Sequence, residues 1–299
     1  MVKVSVILPI YNVAPYLAEA FDSILNQSLR EIEIIAVNDG STDNSEEIVK
    51  KYQQKDARII SFSQENQGQS VARNLALQHA TGEYIYMMDS DDVLSSPDVL
   101  LTCYEYAQKN GADFVFFDRD LFTDDGVSIP APLHSTQYAE ENKRYDGESL
   151  LNMMLDTTTY NCVVWLLLIN HDYLKRIGLK FYPGIIHEDE LFTTELMLRS
   201  NSIYCLKQYL VKHRVWSSST IGKKYTRRNM DCYLTVADQL LRFSQKPIIH
   251  KFLRYTLSKV FYTGHLIPYK DKPAVFWRAV KSGYLRYIGL KPALKFFTI

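Results

Sequence analysis

Tyr84-Ile85-Tyr86-Met87-Met88-Asp89-Ser90-Asp91-Asp92 is the stretch whose reading decides the fold. Five apolar or aromatic residues stand shortly after the turn signal Thr81-Gly82 and predict a fully buried strand. That strand runs straight into three carboxylates within four residues, where like charges repel and each loses solvation. A divalent cation would relieve the conflict, because hard cations prefer carboxylate oxygens. The plainer alternative is a strand end with solvated acids, Asp92 or Ser95 capping the next helix.

Upstream of this stretch, strand and helix signals alternate. Residues 2–8 form a β-rich run ending at Pro9, before Tyr11-Asn12, and Pro15 starts a helix with Leu17, Ala20, Phe21 and Ile24 on one face. Residues 32–37 predict a second strand ending at Asn38-Asp39-Gly40-Ser41, followed by a helix packing Ile48, Val49 and Tyr52. A third strand at 58–62 leads to Gln67-Gly68-Gln69, which opens a helix carrying Val71, Ala72, Leu75 and Ala76. The alternation predicts an α/β domain with a mostly parallel sheet and helices on both faces. Ligands of such sheets bind outside the carboxyl ends of the strands. Pro9 to Tyr11, Asn38-Asp39 and Asp89 to Asp91 should therefore meet in one crevice.

Downstream, a helix past Pro97 and a strand at 113–117 precede a polar, turn-rich stretch at 118–145 that reads as a long loop. Helices are expected near 147–155 and 172–177, and His187-Glu188-Asp189-Glu190 opens another. Residues 204–214 have strand character, and everything beyond Tyr225 reads as helix with breaks near Pro247, Pro268 and Gly289. The expected division is an α/β domain at 1–220, in two halves (1–110 and 111–220), and a basic helical region at 221–299.

Composition narrows the class. With 299 residues, 46% hydrophobic and 23% charged, the chain can bury a substantial core. Four scattered cysteines without a CxxC pair argue against a disulfide scaffold or a zinc site and fit a reducing, cytoplasmic compartment. The opening MVKVSVILPIYN reads as a strand rather than a signal peptide, and no run approaches the roughly 18 apolar residues of a membrane span. Net charge is zero, yet from Lys207 onward there are 19 Lys and Arg against 3 acids. An acidic front and a basic tail imply separate tasks, the tail facing something anionic.

Neither GxGxxG nor GxxxxGK is present, so a nucleotide must be held in another way. Asp39 at a strand end could accept the imide N–H of a uracil, or serve only in a turn. Gly68 permits close backbone approach to a ligand, and Arg73 could balance the acids or a phosphate. In Asp89-Ser90-Asp91 one carboxylate could bind ribose hydroxyls while the other holds Mn²⁺ or Mg²⁺ against a diphosphate. His187-Glu188-Asp189-Glu190 is not HExxH, since Phe192 and Thr193 follow. Its acids complement a helix dipole, and glycosyl transfer also needs a carboxylate base in such a cleft.

Five segments then recur in order: Leu8-Pro9-Ile10-Tyr11-Asn12, Val37-Asn38-Asp39-Gly40-Ser41-Thr42-Asp43, Asn66-Gln67-Gly68 with Ala72-Arg73-Asn74, Asp89-Ser90-Asp91-Asp92, and Glu188-Asp189. Together they resemble the family 2 inverting glycosyltransferases with the GT-A fold, of the kind that build bacterial surface polysaccharides. The resemblance covers roughly 1–220. It implies a UDP-sugar donor, with Asp39 on the uracil, Asp89 at the ribose, Asp91 on a Mn²⁺ or Mg²⁺ ion and Asp189 as catalytic base. Pro9, Tyr11, Gly68, Arg73, Ser90 and Glu188 would complete the donor site. His213-Arg214 followed by Ser219 is similar to a later family segment that closes over the diphosphate, which implies a role for Arg214. The family's Lys two residues after Trp165 is Leu167 here, and no Gln-x-x-Arg-Trp follows, so the processive synthases match poorly.

The expected acceptor is a glycan or glycolipid hydroxyl. Phe276-Trp277, Val280, Tyr284 and Ile288, interleaved with Lys272, Arg278, Lys281 and Arg286, predict either a packed appendage or a helix lying on anionic lipid at the inner membrane face. An acidic cleft argues against nucleic acid. The competing function is a catalytically silent nucleotide-sugar-binding subunit acting through a partner. A sugar-nucleotide pyrophosphorylase would need a Gly-rich loop where Pro9-Ile10-Tyr11-Asn12 stands.

Overall fold

The structure is a computed structural model, and it describes residues 1–129, 135–215 and 225–298. In chain order, β1 (Val4–Ile10), α1 (Ala14–Leu25), β2 (Ile32–Asp39), α2 (Ser45–Lys55), β3 (Ile59–Gln64), α3 (Gln69–His79) and β4 (Tyr84–Met87) make the expected alternation. Then come β5 (Val93–Leu94), α4 (Val99–Asn110), β6 (Phe114–Thr123), β7 (Ser128–Ile129), α5 (Gly147–Asp156), β8 (Leu167–Asn170), α6 (His171–Ile177), α7 (Glu188–Arg199) and β9 (Ile203–Val215). The chain continues through α8 (Arg227–Phe243), α9 (Pro247–Thr263), α10 (Lys272–Lys281), α11 (Leu285–Ile288) and α12 (Leu290–Phe296).

One sheet runs β3-β2-β1-β4-β8-β6-β9-β5, with β7 added to β6. The half built from β3, β2, β1 and β4 is parallel throughout. Beyond β4 the sheet becomes mixed, because β8 enters antiparallel between β4 and β6 while β6 pairs parallel with β9.

Alternation along the strands sends successive side chains to opposite faces. Val4, Val6 and Leu8 of β1 join α1 and α4 in one core, whereas Ile7, with Ile35 and Val37 of β2, joins α3, α5 and α7 in the other. The C-terminal helices add Leu234, Phe252, Val275 and Phe296 to this second core, so they are built into the same apolar interior as α3.

The stretch 118–145 departs from its expectation as a loop. β6 continues to Thr123 and returns as β7, with irregular register near Asp118 where β6 pairs with β9. Its polarity has another cause. The buried Asp118 carboxylate accepts from the backbone N–H of Ser135 at 2.9 Å and of Thr136 at 3.1 Å, stapling the following segment. Pro130, Ala131 and Pro132 of that stretch lie outside the described residues, as does Ser219.

Candidate active site

The carboxyl ends of β1, β2 and β4 come together as the alternation requires. Asn12 leaves β1 with φ +52° and accepts from the Thr42 N–H at 2.7 Å, tying the first strand end to the second. Gly40 turns the chain after β2 at φ +70°, and any Cβ there would sit 2.7 Å from the backbone N of Asn66. Asp39, buried at the end of β2, is met by that third loop. Its Oδ1 accepts from Gln64 Nε2 at 2.7 Å and from the Gln67 N–H at 2.9 Å, and its Oδ2 from the Gly68 N–H at 2.8 Å. Gly68 itself, at φ +90° before α3, has nothing within 4 Å of where a Cβ would be. Pro9 is buried within β1, while the Tyr11 ring is half exposed at the crevice mouth.

The next layer is organised by Arg73. This guanidinium, only 1% exposed on α3, reaches three acids from two distant parts of the sequence. Its Nη2 donates to Asp89 Oδ1 at 3.0 Å, and its Nη1 donates to Glu188 Oε1 and Asp189 Oδ1 at 2.9 Å each. Burial works against its charge, yet Asp189, Asp89 and Glu188 together hold its pKa above the ordinary value. The Phe181 ring lies 5.1 Å below it and stacks on Phe192 of α7. The side-chain amide of Asn74, one residue on, donates from Nδ2 to the Phe181 carbonyl at 2.8 Å and accepts the Phe181 N–H on Oδ1 at 2.9 Å. The sequence suggested that Arg73 could balance the acids or a phosphate. The structure places it behind the acids, joining Asp89 to Glu188-Asp189.

Burial pushes the Asp189 carboxyl up to about 7, with Arg73 pulling it down and Glu188 and Asp89 adding to the rise. This range suits a general base, which works best when its pKa lies near the operating pH. His187, the residue before α7, takes the left-handed conformation at φ +64°, uncommon for a non-glycine residue. It is held from α8, where Asn229 Nδ2 lies 3.1 Å from its Nε2 and the Tyr233 ring stacks at 4.3 Å. Burial lowers its pKa to about 4, so the ring is neutral.

Ser90 is buried and Asp91 half exposed at the rim. Arg214, at the end of β9, donates from Nε to the Asp91 carbonyl at 3.1 Å, and its backbone N–H donates to the buried Asp92 at 3.0 Å. Its guanidinium is wedged between Tyr16 and Phe122 and pairs with Glu19 and, at 3.6 Å, Asp124. Burial raises Asp92 to about 6 against the pull of His213, whose own pKa Asp92 raises despite burial. His213 stacks on Trp165 at 4.7 Å. Sequence reasoning gave no part to His187, Glu19 or the Asp92–His213 pair. A left-handed backbone and a partner 121 residues away leave no local trace.

A profile described as Glycosyl transferase family 2 matches residues 5–178. The chain belongs to this family. Among its relatives, Glycosyltransferase GlyA of Streptococcus pneumoniae is 32% identical over 76% of the chain, and glycosyltransferase YibD of Escherichia coli is 32% identical over 73%. The chain spans only 32% of GlyA and 62% of YibD. Among solved structures, residues 1–349 of Staphylococcus aureus TarS with UDP-GlcNAc share the fold at a TM-score of 0.69 and 20% identity, covering 96% of this chain and 89% of that one. The mannosyltransferase PcManGT of Pyrobaculum calidifontis, in complex with GDP-Man and Mn²⁺, gives 0.62 at 18% identity, covering 98% and 77%. The architecture is therefore the GT-A fold of this glycosyltransferase family, with the C-terminal helices included in the likeness.

Proposed function

We propose that the chain is a metal-dependent inverting glycosyltransferase that moves one sugar from a UDP-sugar to a hydroxyl of a lipid-linked glycan in bacterial surface polysaccharide assembly. One observation carries this reading: Asp89 and Asp189 hydrogen-bond the same guanidinium at 3.0 and 2.9 Å. A donor-side acid and a base near neutrality thus stand side by side, as displacement at a sugar carbon requires.

Asp39 accepts three hydrogen bonds from the chain, which leaves a carboxylate lone pair for the imide N–H of uracil. Tyr11 offers an exposed ring beside it, Pro9 shapes the floor, and the open space at Gly68 admits the nucleotide to the backbone. Asp89 and Ser90 face the ribose. Asp189 takes the proton of the acceptor hydroxyl as its oxygen bonds to the anomeric carbon. The bond to the diphosphate breaks on the opposite face, which inverts the centre. Arg73 and Glu188 fix Asp189, and Arg214 lends positive charge near the departing diphosphate.

Among the described residues no group of three or more His, Cys, Asp or Glu side chains could hold a metal ion. A hard ion that keeps its waters and binds through one or two carboxylates plus substrate phosphates needs no such cage. Asp91, half exposed at the rim, fits it, and Mn²⁺ or Mg²⁺ bound there would supply charge to the leaving diphosphate. The lipid-linked acceptor is supported by the tail, which exposes Trp277, Leu290 and Leu294 beside Lys281 and Lys291. None of the helices among the described residues is long and apolar enough to cross a membrane.

A thermal-shift panel of UDP-, GDP- and CDP-sugars with and without Mn²⁺ tests the reading. Stabilisation by UDP-sugars that depends on Mn²⁺, and that Asp91→Ala abolishes, is expected. A preference for GDP-sugars would remove the assignment of Asp39.

A further inference from the structure

Glu190 follows the base in sequence but points elsewhere. Successive residues of a helix diverge by about 100°. Asp189 accordingly turns to Arg73, and Glu190 turns to the other side of α7. There it borders a cavity of about 280 Å³, open to solvent, between the 160–162 segment and helices α8 and α9. The walls carry four tyrosines, Tyr160, Tyr225, Tyr233 and Tyr255, with Glu190 and Lys259 as the charged groups. Tyr160 Oη donates to Glu190 Oε2 at 3.2 Å, and Lys259 Nζ donates to Tyr255 Oη at 2.8 Å.

Resting on the glycosyltransferase reading, we infer that this cavity is the subsite for the acceptor's terminal sugar, a neutral hexose or N-acetylhexosamine ring, with Tyr255, Glu190 and Lys259 as its specificity-determining residues. Three observations support this assignment. The size, about 280 Å³, falls just below the roughly 300–1,000 Å³ typical of pockets for drug-sized ligands, which suits a single ring. The chemistry combines aromatic faces, on which the C–H faces of a pyranose pack, with groups that donate (Lys259, the tyrosine hydroxyls) and accept (Glu190) at a ring's hydroxyl edge. A phosphate would meet the Glu190 carboxylate, and an acyl chain would strand that carboxylate and the Lys259 ammonium without water.

Position is the third. Cys162 lines the same cavity, and after burial the groups that raise its thiol pKa are Glu190 and then Asp189. Tyr233 of the cavity wall also stacks at 4.3 Å on His187, two residues before the base, so the cavity borders the start of the helix that carries Asp189, where an acceptor hydroxyl must arrive. Tyr225, Tyr233, Tyr255 and Lys259 all lie beyond residue 178, outside the segment that the family profile matches.

The test uses the full chain with methyl glucoside, methyl galactoside, methyl mannoside and methyl N-acetylglucosaminide as probes. Saturation-transfer NMR reads binding of each, and calorimetry reads UDP with Mn²⁺ separately. At least one glycoside should bind, and Tyr255→Ala should weaken it tenfold or more. Thr263→Trp, which fills the cavity from its rim, should do the same with UDP affinity and far-ultraviolet dichroism unchanged. UDP binding with no glycoside bound, or a glycoside bound equally well by Thr263→Trp, would overturn the subsite alone. Absence of UDP binding in the wild type would instead overturn the donor reading on which it rests.

Discussion

Arg73 has one cation's charge to set against three acids, and its removal would be costly. Breaking a buried ion pair by deleting one partner costs about 3–5 kcal/mol, because the survivors remain charged without compensation. Arg73→Met should lower the thermal midpoint strongly at pH 8, where Asp189 is ionised and loses its partner. The deficit should shrink as the pH falls through 7 and Asp189 takes up its proton. A pH-independent deficit would point to lost packing on Phe181 instead.

Asp189 makes the second prediction at this scale. Its pKa is raised to about 7 chiefly by burial, so as the proposed base it is protonated below that pH and able to accept a proton above it. The quantity kcat/KM for sugar transfer should therefore rise with unit slope toward pH 7 and level off. Asp189→Asn should remove that limb and lower transfer about 10²–10⁴-fold, the usual contribution of a general base, while UDP binding persists. Part of this neighbourhood could be read residue by residue, since Arg73 was a candidate to balance the Asp89 acids. Asp89 and Asp189 are identifiable from their motifs, but their common partner is found only when α3 and α7 pack together.

At the scale of elements, α10 and α12 present two unlike sides. Their inner sides are anchored, since Arg278 bonds Asp231 and Asp238 of α8 and the buried Lys272 donates to the Thr298 carbonyl at 2.7 Å. Their outer sides show Trp277 at 59%, Leu290 at 78% and Leu294 at 64% exposure. Lys281, Lys291 and Lys295 flank them, each worth about 1 kcal/mol near an anionic surface, hence on the order of 100-fold preference. Cosedimentation should show binding to phosphatidylglycerol vesicles, weakened by salt, and little to phosphatidylcholine. The triple variant Trp277→Ala, Leu290→Ser and Leu294→Ser should lose it. The packed-appendage reading of the tail holds for the inner sides of these helices, and the cosedimentation decides the lipid reading of the outer ones.

For the molecule as a whole, the C-terminal helices are load-sharing parts of one interior. Leu234, Leu240, Ile249, Phe252, Leu257 and Phe261 are almost fully buried, and six such side chains at about 1.5–3 kcal/mol each match the entire stability of a typical domain. Calorimetry should show a single unfolding transition, and a chain ending at residue 220 should not fold. Two separate transitions would show the helices to be an independent unit. The parallel half of the sheet was legible because periodicity and strand-end motifs there are local. The antiparallel insertion of β8 was not, because its position is set by β4 and β6, far away in the chain. The hairpin at β6 and β7 was hidden by Asp118, a polar residue that is stapled rather than solvated.

His187 has a consequence for anyone recombining this scaffold. The peptide that launches the Glu188-Asp189 helix is kept in its unusual geometry by Asn229 and Tyr233, which a cut at the apparent domain border would discard. A chimera joining this front half to a foreign tail would keep every motif and still misplace Asp189, its proposed proton acceptor, unless those two side chains were grafted along with it.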